Sequence, residues 1–215
     1  MLKIWGRRSS FNVKKVMWLV GELDLPHHHI ELGGRFGGLD DAAFLKMNPH
    51  GRVPVLQDGE TFVWESHAIL RYLAARFGDQ AMWPDDPASR SFSDRWMDWT
   101  QASLQPDFLN GVFWGFYRTP EDERNWPAIR AALARCARHF DQLNIQLEGK
   151  RLLLGDHLTL ADISVGTALY RYFELEIDRP AIPNVVRWYY ALREREAYRV
   201  HVMIPFGELF GRLDY

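Results

Sequence analysis

Asn48–Pro49–His50–Gly51–Arg52–Val53–Pro54–Val55–Leu56, followed past an Asp58–Gly59 pair by Thr61–Phe62–Val63–Trp64–Glu65–Ser66–His67–Ala68–Ile69, is the stretch on which the fold turns. Val53 to Leu56 and Thr61 to Trp64 are short apolar runs, and Asp-Gly between two such runs is a hairpin signal. Pro54 opens the first run, an unusual place for a residue that cannot donate to a strand ladder. A cis bond before it would turn the Val53 backbone outward, where its N–H and C=O can pair with a peptide-like ligand. Behind the hairpin, Ile69, Leu70, Leu73 and Phe77 recur at helical spacing and predict a helix with those four on one face. Glu65 and Ser66 stand just before it, a serine among free backbone N–H groups and an acid beside them.

Working towards the N-terminus, Asp40 to Met47 predicts a short helix halted by Asn48–Pro49. Gly33–Gly34–Arg35–Phe36–Gly37–Gly38 is a loop, and His28 to Leu32 a strand. Leu2 to Trp5, ending at Gly6, is a first strand. Val13, Val16, Met17 and Val20 define a helix that Ser10 or Asn12 caps. Working towards the C-terminus, Gly78 to Pro87 carries Gly, two prolines and three aspartates and reads as a linker. Beyond it the patterns are long, amphipathic and helical, with no strand. The expectation is an α/β domain over 1–78 followed by an all-helical domain over 88–215.

Composition narrows the chemistry. Of 215 residues, 47% are hydrophobic and 25% charged, the usage of an ordinary globular protein. Lys and Arg number 26 against 28 Asp and Glu, a net charge of −2, which leaves no basic footprint for nucleic acid or an anionic membrane. No window approaches 18 apolar residues, and MLKIWGRRSS lacks the apolar core of a secretory leader, so a cytoplasmic location is expected. The one cysteine, Cys136, sits on the core side of a helical pattern and reads as a small buried hydrophobe. His27, His28 and His29 alternate in direction along a strand, so they do not converge on a metal. The glycines at 33–38 do not follow the strand-to-helix spacing of a dinucleotide cradle.

Three local features point to chemistry, and each alone has a plain structural reading. Ser9–Ser10–Phe11–Asn12 opens a helix whose free N–H groups favour an anion such as a thiolate, or is simply an N-cap. Arg52–Val53–Pro54 presents backbone groups, or is an ordinary trans segment. Glu65–Ser66 offers a carboxylate for an amine beside a helix N-terminus for a carboxylate, the two needs of an α-amino-acid end, or is a capped acidic turn.

Taken together, strand, Ser-x-Asn-x-x-Lys-Val helix, NPHGRVPVL, Asp-Gly hairpin and WESHAILRYLA resemble the glutathione transferase family over essentially the whole chain. The two long motifs at this separation are specific for the fold and much less so for the reaction. The resemblance implies a thioredoxin-like first domain and an all-helical second one. It implies glutathione as co-substrate, with Pro54 as the cis-proline, Val53 pairing with the cysteinyl unit, Glu65 and Ser66 holding the γ-glutamyl end, and Arg52 near a carboxylate. No tyrosine ends the first strand, and no cysteine stands where a mixed-disulfide enzyme needs one. The match is therefore to serine-using, theta- or nu-like bacterial members, with Ser10 activating the thiol, Asn12 assisting, and Ser9 the neighbouring register. Lowering a thiol from about 8.5 takes about 1.4 kcal/mol per unit, and a hydroxyl donor with a helix N-terminus supplies roughly 2–3 kcal/mol.

Leu158–Thr159–Leu160–Ala161–Asp162 reads as a capping box with a structural role, and resembles the family's interior motif. Phe108, Phe113, Trp114, Phe116 and Tyr117, with Phe206 and Phe210, enrich the second domain in aromatics. Trp114 and Tyr117 are the expected wall for a hydrophobic electrophile. The family further implies a detoxifying homodimer in which Asp98 or Gln101 approaches the partner's glutathione. Glutathione-dependent disulfide or peroxide reduction, and a non-catalytic binding module, are the alternative functions; no metal is expected.

Overall fold

The structure, a computed structural model, describes residues 1–213. Its sheet runs β2–β1–β3–β4, with β1 (Leu2–Trp5), β2 (His27–Ile30), β3 (Val55–Asp58) and β4 (Thr61–Trp64). β1 pairs with β2 in parallel and with β3 antiparallel, and β3–β4 is the expected hairpin. The β1–β2 crossover is α1 (Phe11–Glu22), and α2 (Ala42–Met47) and α3 (Ser66–Phe77) complete this unit.

Three boundaries move. β2 starts at His27 and ends at Ile30, because Leu32 passes its carbonyl to Arg7 beyond the ladder. α2 starts at Ala42 instead of Asp40. β3 starts at Val55, so Val53 and Pro54 lie outside the ladder, joined by a cis peptide. Phe77, expected on the buried face of α3, is exposed at its last turn, where the helix has run past the core; Ala74 is buried in its place.

The second unit holds α4 (Pro87–Trp99), α5 (Trp126–Gln146), α6 (Leu160–Glu174), α7 (Pro183–Arg193) and α8 (Glu196–His201). α4 runs on without a break through Thr100–Leu104 and Pro106–Arg118, where the helix widens to i→i+5 bonding. Pro106 has no N–H to give the ladder, and proline is a common cause of such irregularity. Gly111 permits close packing here: a Cβ on it would lie 2.6 Å from that of Ala132 on α5.

α1 is buried on nearly every side, with α3 on one flank and α6 and α8 on the other. Trp18 sits at its centre, fully buried, edge-on to Tyr198 and donating Nε1–H to Glu22. The two units therefore share one core, and the N-terminus of α1 opens at their junction. α6 begins with the predicted capping box of Thr159 and Asp162. Cys136 is buried on α5, and burial pushes its thiol up to about 12, where it is inert at neutral pH.

Candidate active site

β1 delivers the chain to the head of α1 through Gly6, whose φ of +145° suits glycine. A side chain there would press within 2.4 Å of Val13 and 3.0 Å of Val53, so glycine lets the loop lie against the Val53 segment. The turn closes with Ser10 N–H donating to the Arg7 carbonyl at 3.0 Å. Ser10 then occupies the N-cap position of α1 in extended conformation, yet its hydroxyl makes no capping bond. Asn12 falls in the first turn, and its Oδ1 is buried without a hydrogen-bond partner. Ser9 is buried, with its carbonyl held by Arg171 Nη2 at 2.6 Å.

Opposite α1 stands the 48–54 loop. Asn48 ties it by donating to the Arg52 carbonyl at 2.8 Å and accepting from His50 N–H at 3.1 Å. Val53, freed from the ladder, faces the same cleft as Ser10, Asn12 and Arg52, a space of about 450 Å³. The far wall comes from the long helix, with Gln101, Gln105, Leu109, Asn110 and Trp114. That wall is less apolar than the sequence suggested, because amides alternate with Leu109 and Trp114.

A second, smaller cavity of about 110 Å³ adjoins the first; Ser10, Asn12 and Trp114 line both, and Ser9 lines the smaller one. Trp114 thus meets both spaces, with the Arg118 guanidinium 3.7 Å from its ring centroid. Tyr117 lines neither. It stacks on Phe113 at 5.3 Å and packs edge-on against Phe206 and Phe210, which place it behind the wall.

Glu65 and Ser66 lie at the head of α3, outside the lining of these cavities. Glu65 is one of two non-glycine residues with positive φ among the described residues, at +67°, a conformation that costs about 1–3 kcal/mol and is held only where the surroundings enforce it. Ser66 is buried as the first residue of α3. The sequence reading missed what lies beneath them. Lys15 Nζ, fully buried, donates to Gln105 Oε1 at 2.9 Å and approaches His67 Nε2 at 3.2 Å; the Ser164 hydroxyl lies 3.0 Å from the same nitrogen. Burial, then the Lys15 and Arg71 cations, push His67 down to about 2, so it is neutral and Nε2 accepts. Burial draws Lys15 down to about 7, opposed by the charge of Glu65. Adjacent lysines in an otherwise apolar helix were the one signal of this network in the sequence.

Asp98 accepts from Arg71 at 2.8 Å, while Gln101 faces the cleft. His27 and His29 bond to the carbonyls of Leu25 and Gly6, and among the described residues no group of three His, Cys, Asp or Glu is placed to hold a metal. Among the same residues no helix is long and apolar enough to cross a membrane.

Family comparison agrees with this geometry. Residues 5–81 match the model of the glutathione S-transferase N-terminal domain, and residues 106–196 that of the C-terminal domain. Glutathione S-transferase GstB of Escherichia coli K12 is 42% identical over 207 residues, 95% of this chain and 99% of that protein. Glutathione S-transferase D6 of Drosophila melanogaster is 26% identical, over 87% of this chain and 85% of its own length. The crystal structure of a theta class glutathione S-transferase from Xanthomonas axonopodis pv. citri, with glutathione bound, superposes with a TM-score of 0.89 at 43% identity, covering 95% of this chain and 98% of that one. With both domain models matched and relatives alike along nearly its full length, this chain belongs to the glutathione S-transferase family.

Proposed function

We propose that this chain binds glutathione between the 48–54 loop and the head of α3, ionises its thiol at the head of α1, and delivers the sulfur to an electrophile resting on Trp114. The observation that carries the reading is the pair at α1: a Ser10 hydroxyl not used for capping and an Asn12 amide with a buried, unpartnered oxygen, both facing the cleft that holds Val53. A hydroxyl and an amide N–H donate to a sulfur anion, and a half-turn of the Asn12 amide brings its N–H to the face where the oxygen now lies. The free N–H groups of α1 add to the preference for an anion. Ser10 is favoured over Ser9 because the Ser9 carbonyl is bound by Arg171 and the residue lines only the small cavity.

In this reading Val53 offers backbone groups to the cysteinyl unit beside Pro54, and Arg52 meets a carboxylate. The head of α3 takes the γ-glutamyl carboxylate at Ser66 while Glu65 takes the amine. The likeness to the Xanthomonas enzyme, whose structure holds glutathione, supports glutathione as the ligand. Trp114 is the residue proposed to touch the electrophile; Tyr117 backs the wall. Exposed Phe62, Trp64 and Phe92 support a homodimer, and a cytoplasmic, detoxifying role accords with the family.

The test is conjugation of 1-chloro-2,4-dinitrobenzene by wild type, Ser10→Ala and Asn12→Ala, with glutathione affinity measured alongside by calorimetry. Lower kcat in both variants, with glutathione Kd within about threefold, is the expected result; a hydroxyl or amide bond to a charged group is worth roughly 1.5–3 kcal/mol, about ten- to a hundredfold in rate. Unchanged turnover in both would remove Ser10 and Asn12 from the chemistry.

A further inference from the structure

Gln101, Gln105 and Asn110 are the amides on the far wall of the cleft, and Gln105 is the one that a buried partner holds in a fixed orientation. Its Oε1 accepts from Lys15 Nζ at 2.9 Å, and Lys15 is fully buried on α1. An ammonium donates and cannot accept, so only the amide oxygen can face it. Loss of the Lys15 proton does not release the amide. A neutral amine keeps two N–H groups, one for Gln105 and one for His67 Nε2 at 3.2 Å. With its oxygen committed, Gln105 has only its Nε2 donors left to offer. The residue is half-buried and lines the cleft, and among the described residues no acceptor takes Nε2. A donor whose partner must come from the cleft calls for an acceptor on the ligand.

The place of this donor says what it meets. Lys15 follows Asn12 by three residues on α1, a spacing that puts both on one helix face, so Gln105 closes on α1 beside the proposed sulfur donors. Leu109 follows on the same wall and leads to Trp114, where the electrophile is proposed to rest. We propose that Gln105 donates Nε2–H to an electrophile oxygen that takes up negative charge as the carbon–sulfur bond forms, with Lys15 the positioning residue that fixes the amide. The inference rests on the transferase reading and names its substrate class, conjugated carbonyl compounds. The step is an addition. The glutathione sulfur, its proton already released to solvent, bonds to the β-carbon. The alkene pair shifts towards the carbonyl carbon, and the carbonyl pair moves onto the oxygen. A solvent proton then reaches the α-carbon, the carbonyl re-forms and nothing leaves. A donor set in place beforehand gains most when the oxygen is charged, which lowers the barrier more than it tightens binding.

Two probes share an aromatic ring and differ in this oxygen, trans-4-phenyl-3-buten-2-one and benzyl chloride. Their kcat/KM values, each divided by the uncatalysed rate with glutathione, give one ratio per protein to which the sulfur contributes equally. The full-length enzyme is expected to favour the enone by about ten- to a hundredfold, the worth of a hydrogen bond to a charged oxygen. Gln105→Glu keeps an oxygen for Lys15 and turns the cleft-facing donor into an acceptor. It is expected to erase most of that ratio while the unfolding midpoint stays no lower than in wild type. A residue that merely braced Lys15 would leave the ratio alone in this variant. Gln105→Met, which is neutral, reads the same loss if Gln105→Glu does not fold.

Turnover of benzyl chloride with no enone preference, or a preference that neither variant moves, overturns the inference and leaves the transferase reading standing. An equal fall with both probes, accompanied by a higher thiol pKa in bound glutathione, would assign Gln105 to the sulfur and also overturn it. Turnover of neither probe by wild type would overturn the transferase reading and the inference with it.

Discussion

Asp162→Ala is expected to unfold the protein at markedly lower temperature without touching its chemistry. The carboxylate is fully buried and accepts four hydrogen bonds: from the backbone N–H of Leu153 at 2.7 Å, the Thr159 N–H and hydroxyl at 3.0 Å each, and Trp188 Nε1 at 3.1 Å. It joins the 153–159 loop, the head of α6 and α7 at one point. Alanine leaves three N–H donors buried and unpaired, at about 1–3 kcal/mol each. Against that, burial outweighs the four bonds in raising the Asp162 pKa, so removing the charge recovers part of the loss. The net cost is about 3 kcal/mol or more, a large share of the roughly 5–15 kcal/mol that holds a domain folded. For a chain of this size that lowers Tm by about 6–12 °C. Differential scanning calorimetry reads it, with glutathione affinity measured well below the new midpoint and expected to stay within about threefold. A Tm within about 2 °C of wild type would refute the view that this carboxylate fastens the helical unit, and a selective loss of glutathione affinity would refute its assignment to folding alone.

Other expectations follow from the buried interior. Between pH 6.5 and about 2 the unfolded chain binds a proton at His67 that the folded chain refuses, so stability falls as pH drops below 6.5, by up to about 1.4 kcal/mol per unit. Urea unfolding at pH 7 and pH 5 is expected to show this slope in wild type and a shallower one in His67→Gln; equal slopes would mean that His67 takes up its proton in the folded state. Gly111→Ala places a Cβ against Ala132 and is expected to cost about 1–3 kcal/mol by urea unfolding, with no cost if α5 can retreat.

Features written in local pattern were legible in the sequence, and those made by distant pairs were not. The strands Leu2–Trp5 and Thr61–Trp64, the Asp58–Gly59 turn, α1 and α3 all follow from periodicity and turn chemistry within a few residues. The family likeness supplied what periodicity cannot, the cis bond at Val53–Pro54. Phe77 was misplaced because helical spacing does not say where the core stops. Tyr117 was misplaced for a similar reason: on a helix of i→i+5 bonding the faces drift from their 3.6-residue positions. Arg171 reaches Ser9 across 162 residues, and Lys15 reaches Gln105 across 90, so no window of sequence displays either contact. A buried cation looks like a surface one until its neighbours are known.

Ionisation of bound glutathione is the property that most directly reports on the head of α1. Its thiol is to be titrated by ultraviolet absorbance in saturated wild type, Ser10→Ala and Asn12→Ala. A pKa near 6.5 is expected in wild type, about two units below a free thiol, with a return of about one unit or more in each variant. A wild-type value near 8.5, or a depressed one that neither substitution moves, would contradict the assignment of thiol activation to the head of α1.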